Sequence, residues 1–268
     1  MTRKIGFIGA GRMAEAMIKG LISKNVYPKE DIIACAPSES TRRRVSDNLG
    51  ISVYENAHEI ADLADVLVLA VKPKHIQGVL EDEIPHLTSD HLLISIAAGV
   101  RIDTLNSYVP DCKIVRVMPN HCCMVLEGAA GYTIGEGVTK KDEDLVKKIL
   151  AALGLAVKVK EEDMDAVTGV CGSSPAFAYM FIRAIAETGI KNGLSEEKAL
   201  ELAAQSMIGA GKMILESGKT PAELIDGVCS PGGTTIEGVK VLNERNFEGI
   251  TSESIEAVIR RSKEMSKN

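Results

Sequence analysis

Few local patterns leave a chain as little freedom as residues 4–14, KIGFIGAGRMA. The apolar run from Lys4 to Ile8 reads as a short buried strand, Gly9-x-Gly11-x-x-Ala14 follows without a spacer, and a helical pattern continues to about Lys24. Strand, glycine turn and helix in that order fit the dinucleotide fingerprint. Its first glycine makes the tight turn, its second admits a pyrophosphate, and its small third residue lets the helix approach the sheet. Phosphates would then rest on the unpaired N–H groups at the helix N-terminus. A tight turn without a ligand would use the same glycines, so the rest of the chain has to supply the context.

Further apolar runs follow at Asp31 to Ala36, Ile51 to Val53, Asp65 to Val71, Leu92 to Ala97 and Lys113 to Val117, with polar or helical stretches between them. Runs without polar alternation suit strands covered on both faces. Strands alternating with helices at this spacing predict an α/β, doubly wound, mainly parallel sheet with right-handed crossovers. After Val157-Lys158-Val159 the pattern changes, and from Glu161 onward only helical segments rich in Ala, Met, Leu and Ile are found. Ser195 caps one of them with Glu196 and Glu197 in its first turn, Thr220-Pro221-Ala222-Glu223 reads as a capping box, and a last helix is expected from about Thr251 to Met265. Two domains are therefore expected: residues 1–160, binding NAD(P), and residues 161–268, all helical. The apolar stripes of the second are hard to bury within its own length, which points to oligomerisation through this half.

A formal net charge of −6, with no basic face, argues against nucleic acid as a partner. No apolar run approaches the ~20 residues of a membrane span, and MTRKIGFIGAGRMAEAM lacks the basic head and apolar core of a secretory leader. The six cysteines have no C-x-x-C spacing, so neither a zinc centre nor a disulfide framework is expected, and a reducing cytoplasm is the simplest compartment. His121-Cys122-Cys123 offers adjacent donors that rarely converge on one ion, and no metal is expected there.

Cofactor choice turns on the end of the second strand, where an acid would accept both ribose hydroxyls of NAD. Cys35-Ala36-Pro37-Ser38 has none, Ser38 can donate to a phosphate, and Arg42, Arg43 and Arg44 follow, at least two of them read as a solvated helix face. NADP(H) is favoured over NAD(H). A second glycine-rich stretch, Ser230-Pro231-Gly232-Gly233-Thr234-Thr235, precedes another helix. Inward-turned N–H groups and the helix dipole would make it a carboxylate nest. Taken alone, the same residues also make an ordinary helix cap after a Pro-Gly turn.

The stretches GFIGAGRMAEAM, VLAVKP, ISIAAGV, RVMPN, DAVTGVCGSSPAFAYMF, ETGIKNGL and LIDGVCSPGGTTIEGV occur in order between Ile5 and about Glu244. Together they resemble the pyrroline-5-carboxylate reductase family. The resemblance implies an N-terminal Rossmann domain and a helical dimerisation domain, in dimers that often assemble further into decamers. It also implies NAD(P)H-dependent reduction of 1-pyrroline-5-carboxylate to L-proline. Carried onto this sequence, Gly9, Ala10, Gly11, Arg12 and Met13 would hold the pyrophosphate, and Ser38 and Asn56 the adenosine ribose or its phosphate. Ala70, Val71, Lys72, Pro73, Ala97 and Ala98 would line the path to the nicotinamide, with Pro119 and Asn120 beside the ring. Ser230, Gly233, Thr234 and Thr235 would grip the substrate, Thr235 would hydrogen-bond the ring nitrogen as the catalytic hydroxyl, and Glu161 would be a further neighbour. The chain departs from the family at His121-Cys122-Cys123, where Thr-Pro is common, and at Gly172-Ser173-Ser174-Pro175 in place of Gly-Ser-Gly-Pro. A hydroxyacid dehydrogenase on the same fold would want a lysine between Ala166 and Ala186, and there is none.

Overall fold

A computed structural model describes residues 4–266, so the first three residues of the stretch read as lacking a leader lie outside it. The chain divides into two compact units, residues 4–173 with 258–266, and residues 174–257.

The first unit is built on β1 (Ile5–Ile8), β2 (Ile32–Cys35), β3 (Ser52–Tyr54), β4 (Val66–Leu69), β5 (Leu92–Ser95), β6 (Lys113–Pro119), β7 (Gly128–Ile134) and β8 (Gly154–Lys158). They form one sheet in the order β3-β2-β1-β4-β5-β6-β7-β8, parallel throughout except where β7 runs antiparallel to β6. Helices α1 (Arg12–Ser23), α2 (Glu39–Leu49), α3 (Ala57–Leu63), α4 (Ile76–Gly78), α5 (Ile102–Tyr108) and α6 (Lys140–Ala151) fall between strands. α7 (Met164–Val167) follows β8 and runs into a π-helical stretch at Thr168–Ser173.

The unbroken apolar runs owe their composition to burial on both faces. Side chains alternate along a strand, so Phe7, Val66, Val68, Leu92 and Ile94 enter one core cluster while Ile8, Leu67, Leu69 and Leu93 enter the other. The order reverses at β1, which pairs with β2 on one side and β4 on the other. A crevice at such a switch point, outside the carboxyl ends of the strands, is where doubly wound sheets bind ligands.

β7 is not legible as an apolar run, because its sequence GAAGYTI is dominated by small residues. The glycines answer to close neighbours: a Cβ on Gly131 would lie 2.6 Å from Val167 Cγ1, and one on Gly128 would lie 2.3 Å from Cys123 Sγ. Gly128 pairs in register with Gly154, whose φ of +137° only glycine adopts readily.

The second unit holds α8 (Ser174–Lys191), α9 (Glu196–Glu216), α10 (Pro221–Val228), α11 (Thr234–Glu244) and the first part of α12 (Phe247–Met265). α12 begins four residues before the expected Thr251, since its first turn, PheGluGlyIle, carries no sequence cap to mark it. Ser195 Oγ accepts from Lys198 N, and Thr220 with Glu223 completes the expected capping box. The fully buried cluster of this unit consists of Ala186, Ala199 and Ala203. Leu202, Ile208, Leu215, Val228 and Ile250 are each at least half exposed, an unusual amount of apolar surface for a free helical unit.

Candidate functional site

The loop from β1 to α1 has the local chemistry its sequence predicts. Gly9 sits at φ +95° and donates its N–H to Cys35 O at 3.2 Å, and a Cβ there would meet Ala70 O at 3.0 Å. Gly11 is the N-cap of α1, with no side chain capping the helix and nothing within 4 Å of where its Cβ would stand. Ala10 is buried, Arg12 and Met13 begin the first turn, and Ala14 is packed into the core. The uncapped N–H groups and the open space beside Gly11 fit a pyrophosphate.

A cleft of about 1000 Å³ opens beside this loop, lined by Gly9, Pro37, Asn56, Val71, Lys72 and His75 among others. Asn56 caps α3 and donates its backbone N–H to Glu59 Oε2 at 3.3 Å. Ser38 caps α2 at the end of β2 and its hydroxyl lies 2.7 Å from that of Ser40. The three arginines beyond it are engaged within the protein. Arg42 donates to Ala36 O and Pro37 O at 2.9 and 2.8 Å and lies 3.4 Å from Glu55, Arg43 pairs with Glu39, and Arg44 pairs with Glu15. Arg42 thereby braces the turn that carries Ser38.

The remaining cofactor candidates of this unit follow the carboxyl ends of neighbouring strands. Ala70 N donates to Ile8 O at 2.9 Å, Val71, Lys72 and Pro73 turn the chain away from β4, and Ala97 and Ala98 follow β5. Pro119 ends β6, and Asn120 Oδ1 accepts from Cys122 N and Ala129 N, both at 3.1 Å. The register Ile8, Leu69, Ser95, Arg116 across β1, β4, β5 and β6 places these turns along one edge of the sheet.

Glu161 is tied down in the same unit. Its Oε1 accepts from Arg116 at 2.7 Å and from Ile102 N at 3.2 Å, so it neutralises a nearly buried guanidinium and caps α5, while its buried Oε2 has no hydrogen-bond partner. The ion pair with Arg116 was missed in the sequence, where a lone arginine inside the apolar run Lys113 to Val117 is the signal. The His121–Val125 turn is a 3₁₀ helix; Cys123 is buried and its thiol is pushed above its usual range by desolvation, as burial also does to Cys35, up to about 11. Burial of this kind disfavours the thiolate, the form that ligates metals.

In the second unit Gly232 has φ +71°, Gly233 N donates to Ser230 O at 2.9 Å, and Gly233 caps α11 without a side-chain bond. A Cβ on Gly233 would lie 2.4 Å from Ser230 Oγ and 3.0 Å from Ser230 O, so a larger residue would push the Ser230 hydroxyl out of its place in the turn. Ser230, Thr234 and Thr235 are exposed at the start of the helix, two hydroxyl residues opening its first turn beside uncapped N–H groups. This is an arrangement that can hold a carboxylate.

Residues 161–265 match the family model described as pyrroline-5-carboxylate reductase dimerisation, and residues 4–99 match the one described as NADP oxidoreductase coenzyme F420-dependent. The pyrroline-5-carboxylate reductase of Methanosarcina acetivorans is 42% identical, over 99% of both chains. Among solved structures, the pyrroline-5-carboxylate reductase of Coxiella burnetii superposes with a TM-score of 0.92 at 34% identity, over the whole of both chains. That of Plasmodium falciparum pyrroline carboxylate reductase with NADP bound gives 0.89 at 34% identity, over 99% of this chain and 98% of that one. Likeness of this degree extends over both units, and the chain belongs to the pyrroline-5-carboxylate reductase family.

Proposed function

We propose that this protein reduces 1-pyrroline-5-carboxylate to L-proline, with NADPH as the preferred hydride donor. The observation that carries the reading is likeness to reductases of this name over essentially their whole length, one of them with NADP bound. NADPH, when bound, supplies a hydride for the imine carbon. What remains for the protein is binding and alignment, because an imine carbon is already electrophilic and orientation alone lowers the barrier substantially.

Gly9 to Met13 would hold the pyrophosphate, and Ser38 and Asn56 the adenosine side. Ala70 to Pro73, Ala97, Ala98, Pro119 and Asn120 would position the nicotinamide. The open N-terminus of α1 and the cleft beside it support this assignment. The absence of an acid after β2 supports NADPH over NADH. Ser230, Gly233, Thr234 and Thr235 would hold the substrate carboxylate, and the Thr235 hydroxyl would hydrogen-bond the ring nitrogen as it becomes an amine, the proton coming ultimately from water. Glu161 would border the substrate through its unpartnered Oε2, or act only through Arg116. The exposed apolar helices of the second unit support a homodimer, extended in some family members to a decamer. We place the functional division near Lys160, where the dimerisation family match begins, and the enzyme in the cytoplasm.

Purified protein given pyrroline-5-carboxylate with NADPH or NADH, followed by nicotinamide absorbance, tests the reading; no oxidation with either cofactor overturns it. Thr235→Ala should lower kcat/KM about tenfold or more, on the scale of one charge-assisted hydrogen bond, ~1.5–3 kcal/mol. Unchanged kinetics would remove Thr235 from the mechanism.

A further inference from the structure

On the surface of the first unit, where His58 on α3 borders the cleft that also reaches Gly9, His58, Asp62 and His86 bring their ligand atoms within 4.8 Å of one another. We propose that these three residues form a site for a divalent cation of the zinc type, one that joins α3 to the segment after Glu83.

His58 and Asp62 lie one turn apart on α3, so they share a face. His58 Nε2 stands 3.5 Å from Asp62 Oδ2, and His86 Nε2 stands 3.2 Å from Asp62 Oδ1. Zinc–nitrogen and zinc–oxygen bonds of ~2.0–2.2 Å in a tetrahedron set ligand atoms about 3.3–3.6 Å apart. The two histidines approach different oxygens of Asp62 and the three ligand atoms lie within 4.8 Å of one another, so side-chain rotation at this exposed site suffices to bring them to a common ion. Each imidazole Nε2 can serve the carboxylate as an N–H donor, and in the other tautomer the same nitrogen presents a lone pair to a metal ion. Two histidines and one carboxylate select zinc-like ions over magnesium or calcium, which prefer oxygen alone.

The backbone on both sides is fixed. Ile60 and Ala61 are buried under α3, and Ile84 and Leu87 are buried on either side of His86, so the histidine is held at the surface by its neighbours. The two rings already meet edge to face with centroids 5.6 Å apart. The three side chains remain between two-fifths and two-thirds exposed, which leaves room for water at the fourth position. The sequence hides the arrangement, because His86 reaches the site from outside the helix and no short motif joins it to the other two.

The test is calorimetric titration of Zn²⁺ into chelator-stripped, fully reduced protein, with Asp62→Asn and His86→Gln alongside. Wild type should bind one ion per chain, and each variant should bind at least about tenfold more weakly, since even outer partners of metal ligands are worth ~10–100-fold. Zn²⁺ should also raise Tm in wild type and not in the variants, because a ligand of the native state stabilises it. Melting in EDTA identifies a variant that has failed to fold, and the other variant then carries the comparison. Equal binding by wild type and a folded variant, which would mean the cysteines hold the ion, overturns the proposal, as does the lack of saturable binding by wild type. Neither readout depends on reductase activity.

Discussion

Replacing Glu161 with alanine separates two roles for this carboxylate. Arg116 has a side chain only 4% exposed, and its partner within hydrogen-bond reach is Glu161 Oε1 at 2.7 Å. Removing the acid leaves a guanidinium facing an interior gap, and breaking a buried pair from one side costs about 3–5 kcal/mol. Glu161 is itself 22% exposed, so water can partly fill its place and the lower end of that range applies. Losing the acceptor for Ile102 N at the start of α5 adds roughly 0.5–1 kcal/mol. The sum, about 3–4 kcal/mol, corresponds to a fall in Tm of roughly 6–16 °C for a chain of this size. Glu161→Gln keeps an acceptor oxygen and should lose less than half as much. The assay is thermal unfolding by circular dichroism, with KM for pyrroline-5-carboxylate measured at a temperature where both variants are folded. A Tm within about 2 °C of wild type for Glu161→Ala, a change of under ~1 kcal/mol, would refute the ion-pair account. A raised KM at unchanged Tm would make Glu161 a substrate contact instead.

Gly9→Ala forces a side chain into φ +95° and brings Cβ to 3.0 Å from Ala70 O, a cost of about 1–3 kcal/mol. It should lower Tm and weaken NADPH binding in a fluorescence titration, and unchanged affinity would detach the turn from the cofactor. Glu143 accepts from Tyr132 and pairs with Lys147 and Lys158, and the hydrogen bond from Lys147 leads in holding its carboxyl down at about 2. A pKa lowered on folding adds stability that is present above the ordinary carboxyl value of 4.5 and lost as pH falls toward about 2. The difference in urea midpoint between wild type and Glu143→Gln should therefore be greatest near neutral pH and shrink across that window; a difference independent of pH would contradict the pairing.

What the sequence made legible were features in which one physical demand dictates residue type locally. Strands buried on both faces must be apolar along their length, and β1, β2, β4 and β5 carry that mark. A turn at positive φ must be glycine, which marks Gly9, and a helix start needs an acceptor, which marks Ser195 and Thr220. What stayed hidden depends on partners far along the chain. β7 carries no apolar run because its glycines answer to Val167 and Cys123, and Arg116 and Glu161 are separated by 45 positions. The arginines after Ser38 could be seen but not their attachments, since only folding turns Arg42 toward Ala36 O and Pro37 O.

The discontinuity of the first unit bears on how the protein is made. Residues 258–266 count with the nucleotide-binding sheet, where Ser262 Oγ donates to Asp165 Oδ1 at 2.6 Å and Met265 packs over Gly99. Chains are synthesised from the N-terminus, and the default is for the leading domain to fold first. Here the leading unit cannot make its closing contacts until the stretch from Val258 to Ser266 has left the ribosome. The eight strands can pair before then, but the cover over Gly99 and the bond to Asp165 must wait through the synthesis of every helix between.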